Sequence, residues 1–482
     1  MSDAPPLLFM LVGVLRFQLA ALSLATAAGL ASAQCPGDLW RLTFSDEFDG
    51  SSLDASTWSN ETGRWPYNSE LQYYQASNVS VRDGFMAITA TRDARFNPPY
   101  ASARINTRTS FLQRYGRFEM RARLPRGQGI WPAFWLLPQN AWPPEIDIME
   151  LLGHEPTKVY FTNHWGASSS PLSQSSSFSG PDFSADFHTF ACEWYPDRID
   201  FFVDGVRRST NINGGIPSVP MYIILNVAVG GQWPGNPNAS TPFPQQMVVD
   251  WVRAYEQIEP VSQISNGGFE SRGPTGQVPF FGWIRSGNAF TDAGVVRTGV
   301  ASGKLFGNFT GGANTSWIAQ DVLVTTGQTM AATGWFQTAS SDRIAGANVA
   351  SMIIEWRTSS NAVISRESVV AADATTPPGE WFRRVIGAEV PAGAARARLL
   401  VEFRQPATAT GSVFFDDLQF GPISCPPCIS DFNRDGGIDG ADLEAFFDAW
   451  EDGGSRADVN QDGGIDGADV GVFFTAWERS SC

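Results

Sequence analysis

Strict two-residue alternation is the feature that most limits what this chain can fold into. From Gly116 to Pro125, Phe118, Met120, Ala122 and Leu124 fall on one side and Arg117, Glu119, Arg121 and Arg123 on the other. That is the pattern of a strand with one apolar face. The segment from Arg198 to Arg208 reads as two short strands turning at Asp204 and Gly205. Long stretches of helical spacing are absent until the C-terminus, so the chain is expected to be all-β with a small helical tail. At 482 residues it exceeds one ordinary core and predicts two or three domains.

A net charge of −16 argues against nucleic acid or an anionic membrane as the main partner. Much of it is local: from Cys425 to Cys482 there are thirteen acids against three arginines. At the other end, the apolar run from Ala20 to Leu30, followed by Ala31-Ser-Ala-Gln34, reads as an export signal (residues 1–33) cleaved after Ala33. Asp3 and the lack of a basic residue before Arg16 favour Met10 over Met1 as the start. The expected location is extracellular or periplasmic. Five cysteines are too few for disulfides to be the main staple. Cys192 reads as a buried thiol, and a bond from Cys425 or Cys428 to Cys482 would clasp the tail.

Three carboxylates, Glu145, Asp147 and Glu150, occupy six residues of an otherwise apolar segment. Glu145 and Asp147 share one strand face, opposite Ile146 and Ile148. Glu150 has the wrong parity and joins them only if a β-bulge near Met149 absorbs one residue. Two Glu arms leaning over a shorter Asp could then reach the roughly 5 Å separation that a retaining glycosidase requires. Trp131, Trp135 and Trp142 precede or adjoin the acids, and His164 follows in Thr162-Asn-His-Trp-Gly166. Indole faces stack on pyranose C–H faces, while His, Asn and Glu hydrogen-bond hydroxyls.

Residues 38–257 resemble glycoside hydrolase family 16, and most of all its laminarinase-type endo-β-1,3-glucanases. The resemblance rests on Phe44-Ser-Asp-Glu-Phe-Asp-Gly50, Asn68-Ser-Glu-Leu-Gln-Tyr-Tyr74, the Gly116 to Pro125 strand, Trp131-Pro-Ala-Phe-Trp135, Glu145-Ile-Asp-Ile-Met-Glu150, Phe190-Ala-Cys-Glu-Trp194, the run from Asn226 to Gly235, and Val249-Asp-Trp-Val-Arg253. It implies a β-jelly-roll sandwich, Glu145 as nucleophile, Glu150 as acid/base and Asp147 as the group that hydrogen-bonds Glu145. It also makes Asn68, Glu70 and Trp233 candidate sugar contacts. Pro144 stands where such chains often have Gly.

Residues 258–422 carry no carboxylate cluster. Asn266-Gly-Gly-Phe-Glu270, Gly282-Trp283, Trp335-Phe336, Trp381-Phe-Arg383 and Val413-Phe-Phe-Asp-Asp-Leu418 resemble carbohydrate-binding modules of the family 4 and 9 type. That implies a second β-sandwich, aromatics for glycan, and Glu270 and Asp417 near a structural calcium. A spacer without ligand is the alternative.

The tail (425–482) repeats itself. Asp431, Asn433, Asp435, Asp439 and Asp442 recur as Asp458, Asn460, Asp462, Asp466 and Asp469, occupying positions 1, 3, 5, 9 and 12 of a calcium loop. Gly437 and Gly464 offer backbone carbonyls at position 7. After the loops, Leu443, Phe446, Phe447 and Trp450, then Val470, Phe473, Phe474 and Trp477, keep helical spacing. Paired loops with Asp at position 12 resemble a type I dockerin, an EF-hand-like helical module. Gly440-Ala441 and Gly467-Ala468 replace the hydroxyl residues common there, so a cohesin-like partner and a self-contained calcium module stand as equal alternatives. The cofactor expected is structural calcium in the tail and in the sandwiches, with none in catalysis. The function expected is hydrolysis of β-1,3-glucan, with mixed β-1,3/1,4-glucan as a side substrate. Its alternatives are a galactan hydrolase acting on agar or carrageenan, hydrolysis of xyloglucan, and a non-catalytic glycan-binding protein.

Overall fold

The computed structural model describes residues 39–482 except 66, 213–214, 274–279, 424–429, 431, 433–438, 458, 460–463 and 479–482. The expected export signal, Cys35, the tail cysteines, and the loop residues Asp431, Asn433, Asp435, Gly437, Asp458, Asn460 and Asp462 lie outside the described residues. Two compact units emerge, Trp40–Gln257 and one containing Ile258–Cys482. Among the described residues no helix is long and apolar enough to cross a membrane.

In the unit Trp40–Gln257, an 11-stranded and a 7-stranded sheet bury one shared core. The strand Gly116–Arg123 buries Phe118, Met120 and Ala122, the apolar half of its alternation. Phe134, Leu136, Ile146, Ile148, Val159, Phe161, Ile223 and Leu225 join the same core from the smaller sheet. Each side chain of that size taken from water contributes about 1.5–3 kcal/mol. Asp204 and Gly205, both at positive φ, turn the hairpin between Ile199–Val203 and Val206–Asn211. Cys192 is buried and unpaired.

The smaller sheet positions the site. Its strands run in the order Ser170–Ser179, Lys158–Ala167, Glu145–Leu151, Ile130–Leu137, Tyr222–Val229, Arg104–Asn106 and Ser59–Asn60. All eight residues of Tyr222–Val229 are buried. One face of that strand packs on the core, and the other lies beneath the side chains described in the next section. A central strand covered on both sides explains why the run is apolar apart from Asn226.

The second unit contains two five-stranded sheets around Phe269, Phe280, Trp283, Trp356, Phe403 and Phe415. Two helices follow, Gly440–Glu451 and Gly467–Glu478. Phe446 and Phe473 stack face to face at 4.0 Å, and Leu443 and Phe447 share their cluster. Trp450 Nε1 donates to the Asp466 carbonyl at 3.2 Å, and Trp477 Nε1 to the Asp439 carbonyl at 3.0 Å, so each half ties down the loop of the other.

Candidate active site

The strand Glu145–Leu151 carries the bulge that its parity requires. Asp147 pairs with Thr162 and Glu150 with Tyr160, so Ile148 and Met149 together oppose Phe161 alone. On the other side, Phe134 pairs with Met149 and Trp135 with Asp147. Residues directly opposite each other on neighbouring strands point the same way. Glu145, Asp147 and Glu150 therefore share one face with His164, Thr162 and Tyr160 on one flank and with Trp135 and Ala133 on the other. The isoleucines face the core.

Each acid has a defined partner. Trp142 Nε1 donates to Glu145 Oε2 at 3.0 Å, and Trp131 Nε1 to Glu150 Oε1 at 3.0 Å. Asp147 is hydrogen-bonded to Glu145, and His164 Nε2 lies 3.2 Å from Asp147 Oδ2 and 3.6 Å from Glu145 Oε1. One donor atom each from Glu145, Asp147 and His164 falls within 4.8 Å of the others. A cation could use that set, although the mutual hydrogen bonding already accounts for the closeness.

Burial sets the electrostatics. Glu145 is pushed up to about 8, first by loss of water and then by the Asp147 charge, with His164 and the Trp142 N–H opposing. Burial likewise raises Asp147 to about 7. Glu150 stands well above the usual carboxylate range, through burial and then the charges of Asp147 and Glu145. A buried acid whose protonated form is favoured, facing a second carboxyl group on the same sheet face, is the pair that glycoside hydrolysis needs.

The remaining residues proposed from sequence lie around this face. Trp135 Nε1 donates to Asn226 Oδ1 at 2.8 Å. Half-exposed Trp233 meets Trp131 edge-on at 5.4 Å and Tyr160 at 4.9 Å. Glu70 accepts from Asn68 Nδ2 at 3.2 Å and from Gln72 Nε2 at 2.6 Å, and burial raises its pKa. The loop bearing Asn68 and Glu70 is tied to that of Trp233, since Leu71 N donates to the Val229 carbonyl and Gln232 N to the Asn68 carbonyl. Gly230, at φ 72°, permits this approach, because a Cβ there would sit 2.5 Å from Leu71 Cγ.

Arg104, Tyr74, Asn226, Tyr160 and Trp65 were not among the site residues read from sequence. Buried Arg104 lies between the rings of Trp65 and Trp135, at 4.0 and 4.6 Å, and pairs with Glu61 at 3.0 Å. Tyr74 bridges Glu70 and Asn226, at 3.3 Å from each. Asn226 opens one of the matched motifs and could have been picked out there. Arg104 has no local signal, because its neighbours come from two distant segments, 61–65 and the strand of Trp135.

In the tail, Asp439 caps the helix Gly440–Glu451 by accepting from Ala441 N, and Asp442 Oδ2 accepts from Asp439 N at 2.9 Å. Asp469 accepts from Asp466 N at 2.9 Å in the second half, with Gly464 two residues earlier. Asp442 and Asp469 are fully buried. In the second unit, Glu270 accepts from Val300 N and Ala301 N. Asp417 accepts from Arg297 at 2.6 Å and Thr298 at 2.7 Å.

Comparison with known proteins places these carboxylates within a family. The profile described as "Glycosyl hydrolases family 16" matches residues 67–253. A "Beta-glucanase" of Rhodothermus marinus is 39% identical over 247 residues, covering 46% of this chain and 86% of the relative. A "Glucan endo-1,3-beta-glucosidase" of Cryptopygus antarcticus is 37% identical, over 46% of this chain and 92% of the relative. A "Glucan endo-1,3-beta-glucosidase A1" of Niallia circulans is 38% identical, over 45% of this chain, and the match spans only 38% of that relative. With the three acids inside a stretch shared along most of two such relatives, the chain belongs to glycosyl hydrolase family 16 and is a glycoside hydrolase.

Proposed function

We infer that the enzyme is a retaining endo-hydrolase of β-1,3-linked glucan that also accepts mixed β-1,3/1,4-glucan. The observation that carries this reading is the bulge that sets Glu145, Asp147 and Glu150 on one sheet face among tryptophans. Names of the related glucanases supply the substrate class. Glu150 donates its proton to the glycosidic oxygen while the Glu145 carboxylate bonds to C1 and the C1–O bond breaks. A water then attacks C1 of the glycosyl ester, passing its proton to the Glu150 carboxylate and freeing Glu145. Trp131 fixes one oxygen of Glu150, and Asp147 with His164 orients Glu145. Asp147 also adds the negative charge that keeps Glu150 protonated.

The same reading gives the second unit a glycan-binding role. Phe290 and Phe309 are 48% and 44% exposed and stack with Phe306, with centroids 5.6 and 6.4 Å apart. An exposed aromatic row of this kind suits pyranose rings. Side-by-side assays on laminarin, lichenan, agarose, carrageenan and insoluble β-1,3-glucan test both halves. Laminarin should be the best soluble substrate, and agarose or carrageenan ahead of it would overturn the glucanase reading. Phe290→Ala with Phe309→Ala should slow attack on the insoluble glucan about thirtyfold, taking about 1 kcal/mol per stacked ring, with laminarin unchanged. Equal rates on the insoluble glucan would reduce the unit to a spacer.

Calcium and export belong to this proposal as well. Asp439, Asp442, Asp466 and Asp469, with Asp431, Asn433, Asp435, Asp458, Asn460 and Asp462 from the sequence, form a donor set of oxygens alone, which fits calcium. Buried Asp416, raised to about 6 by burial and by Asp417, would also gain from a cation near Glu270 and Asp417. Bound calcium would offset the charge of these acids. Titration of chelated full-length protein by calorimetry should show calcium binding, with both tail equivalents lost in Asp435→Ala plus Asp462→Ala and glucanase activity unchanged. Full binding in that variant would contradict the tail sites. Export through residues 1–33 predicts that mature protein recovered outside the cytoplasm begins at Gln34, and a cytoplasmic product retaining residue 10 would contradict it. A cohesin-like partner for the tail is kept only as an alternative to the self-contained module.

A further inference from the structure

On the side of the acids away from Trp131 and Trp135, beyond His164 and the Trp142 ring that lies 6.4 Å from it, the sheet ends in an edge strand of unusual chemistry. Ser170–Ser179 reads SPLSQSSSFS, with six serines and no charge. Ser173 pairs with His164, Ser175 with Thr162 and Ser177 with Tyr160. Those partners pair in turn with Glu145, Asp147 and Glu150, so the three serines lie on the same face as the acids, two strands away. All three are exposed, and Ser175 Oγ lies 3.0 Å from Thr162 Oγ1.

Edge strands are usually guarded by charge, especially lysine. A lysine here would draw the acid pKa values down, and another carboxylate would raise them further. Hydroxyls bind sugar hydroxyls without disturbing the titration of the site. The two flanks also differ in depth. Arg104, Trp65, Trp135, Glu70 and Asn226 make a packed, partly buried wall on one side, whereas the serine side is open. The half of the chain held as a glycosyl ester needs the firm wall, and the half that departs must leave quickly.

We propose that Ser173, Ser175 and Ser177 form the surface that receives the leaving-group part of the glucan, and thus the acceptor sugars in the reverse transfer. This inference rests on the glucanase reading. It is tested with Ser173→Ala/Ser175→Ala/Ser177→Ala in the full chain, assayed on long soluble β-1,3-glucan and on an aryl β-laminaribioside whose leaving group is a single aromatic ring. The ratio of kcat/KM on polymer to that on aryl substrate should fall about tenfold, from three weakened neutral hydrogen bonds. Transfer to added laminaribiose should fall with it. The corresponding triple Thr variant, which keeps the hydroxyls and suits a strand, should restore the ratio. A ratio unchanged in the Ala variant, or lowered equally in the Thr variant, overturns the proposal. Absence of activity on every glucan in the unaltered enzyme would instead sink the glucanase reading itself.

Discussion

Glu145→Gln is expected to lower kcat on laminarin by about 10⁴-fold or more, because the amide cannot form the glycosyl ester. Glucan binding should persist, since Trp142, Trp131, Trp135 and the Glu70 cluster remain. Glu150→Ala should lose a similar factor on polymer and much less on an aryl glycoside whose leaving group needs no proton. Added azide should rescue that variant by attacking the ester in place of activated water, yielding a β-glycosyl azide. Activity in Glu145→Gln within tenfold of the parent would exclude it as nucleophile.

The second large effect is on stability. Glu145 is held at about 8 against an ordinary 4.5, and Glu150 too is raised well above its ordinary value. The folded state therefore binds more protons than the unfolded chain above pH 4.5. Stability contributed by the protonated acids is full below that pH and falls as pH rises through the folded values. Glu150→Gln removes the buried charge while keeping size and the Trp131 partner. It should stabilise the enzyme by about 2 kcal/mol at pH 9 and by under about 0.5 kcal/mol at pH 4. Urea unfolding at the two pH values reads this directly. Equal effects at both would mean that Glu150 ionises normally in the fold.

Much of this site was legible before the fold. Alternation from Gly116 to Leu124 placed the core side of its strand, because period two is all that a half-buried strand demands of a sequence. The parity conflict at Glu150 required the bulge that the pairing around Ile148 and Met149 contains. Tryptophan and histidine positions adjoined the acids in sequence, and the sheet joins them by direct pairing. Arg104 was not legible, since its stacking on Trp65 and Trp135 joins segments that only the sheet order brings side by side. The serine face was hidden for another reason. A serine-rich run looks like a linker until register shows which hydroxyls face the acids. Glu270 and Asp417 were singled out by resemblance, and the backbone and side-chain partners they hold in the 297–301 loop come from the fold alone.

The central claim is that Glu145 and Glu150 act as nucleophile and acid/base across one bond. The most direct measurement is the proton NMR spectrum of laminarin digestion recorded within the first minutes, before mutarotation mixes the anomers. Double displacement through a Glu145 ester predicts that the new reducing ends appear first as β, with α growing only later. Reducing ends appearing first as α would show that water attacks directly, and would contradict the role assigned to Glu145.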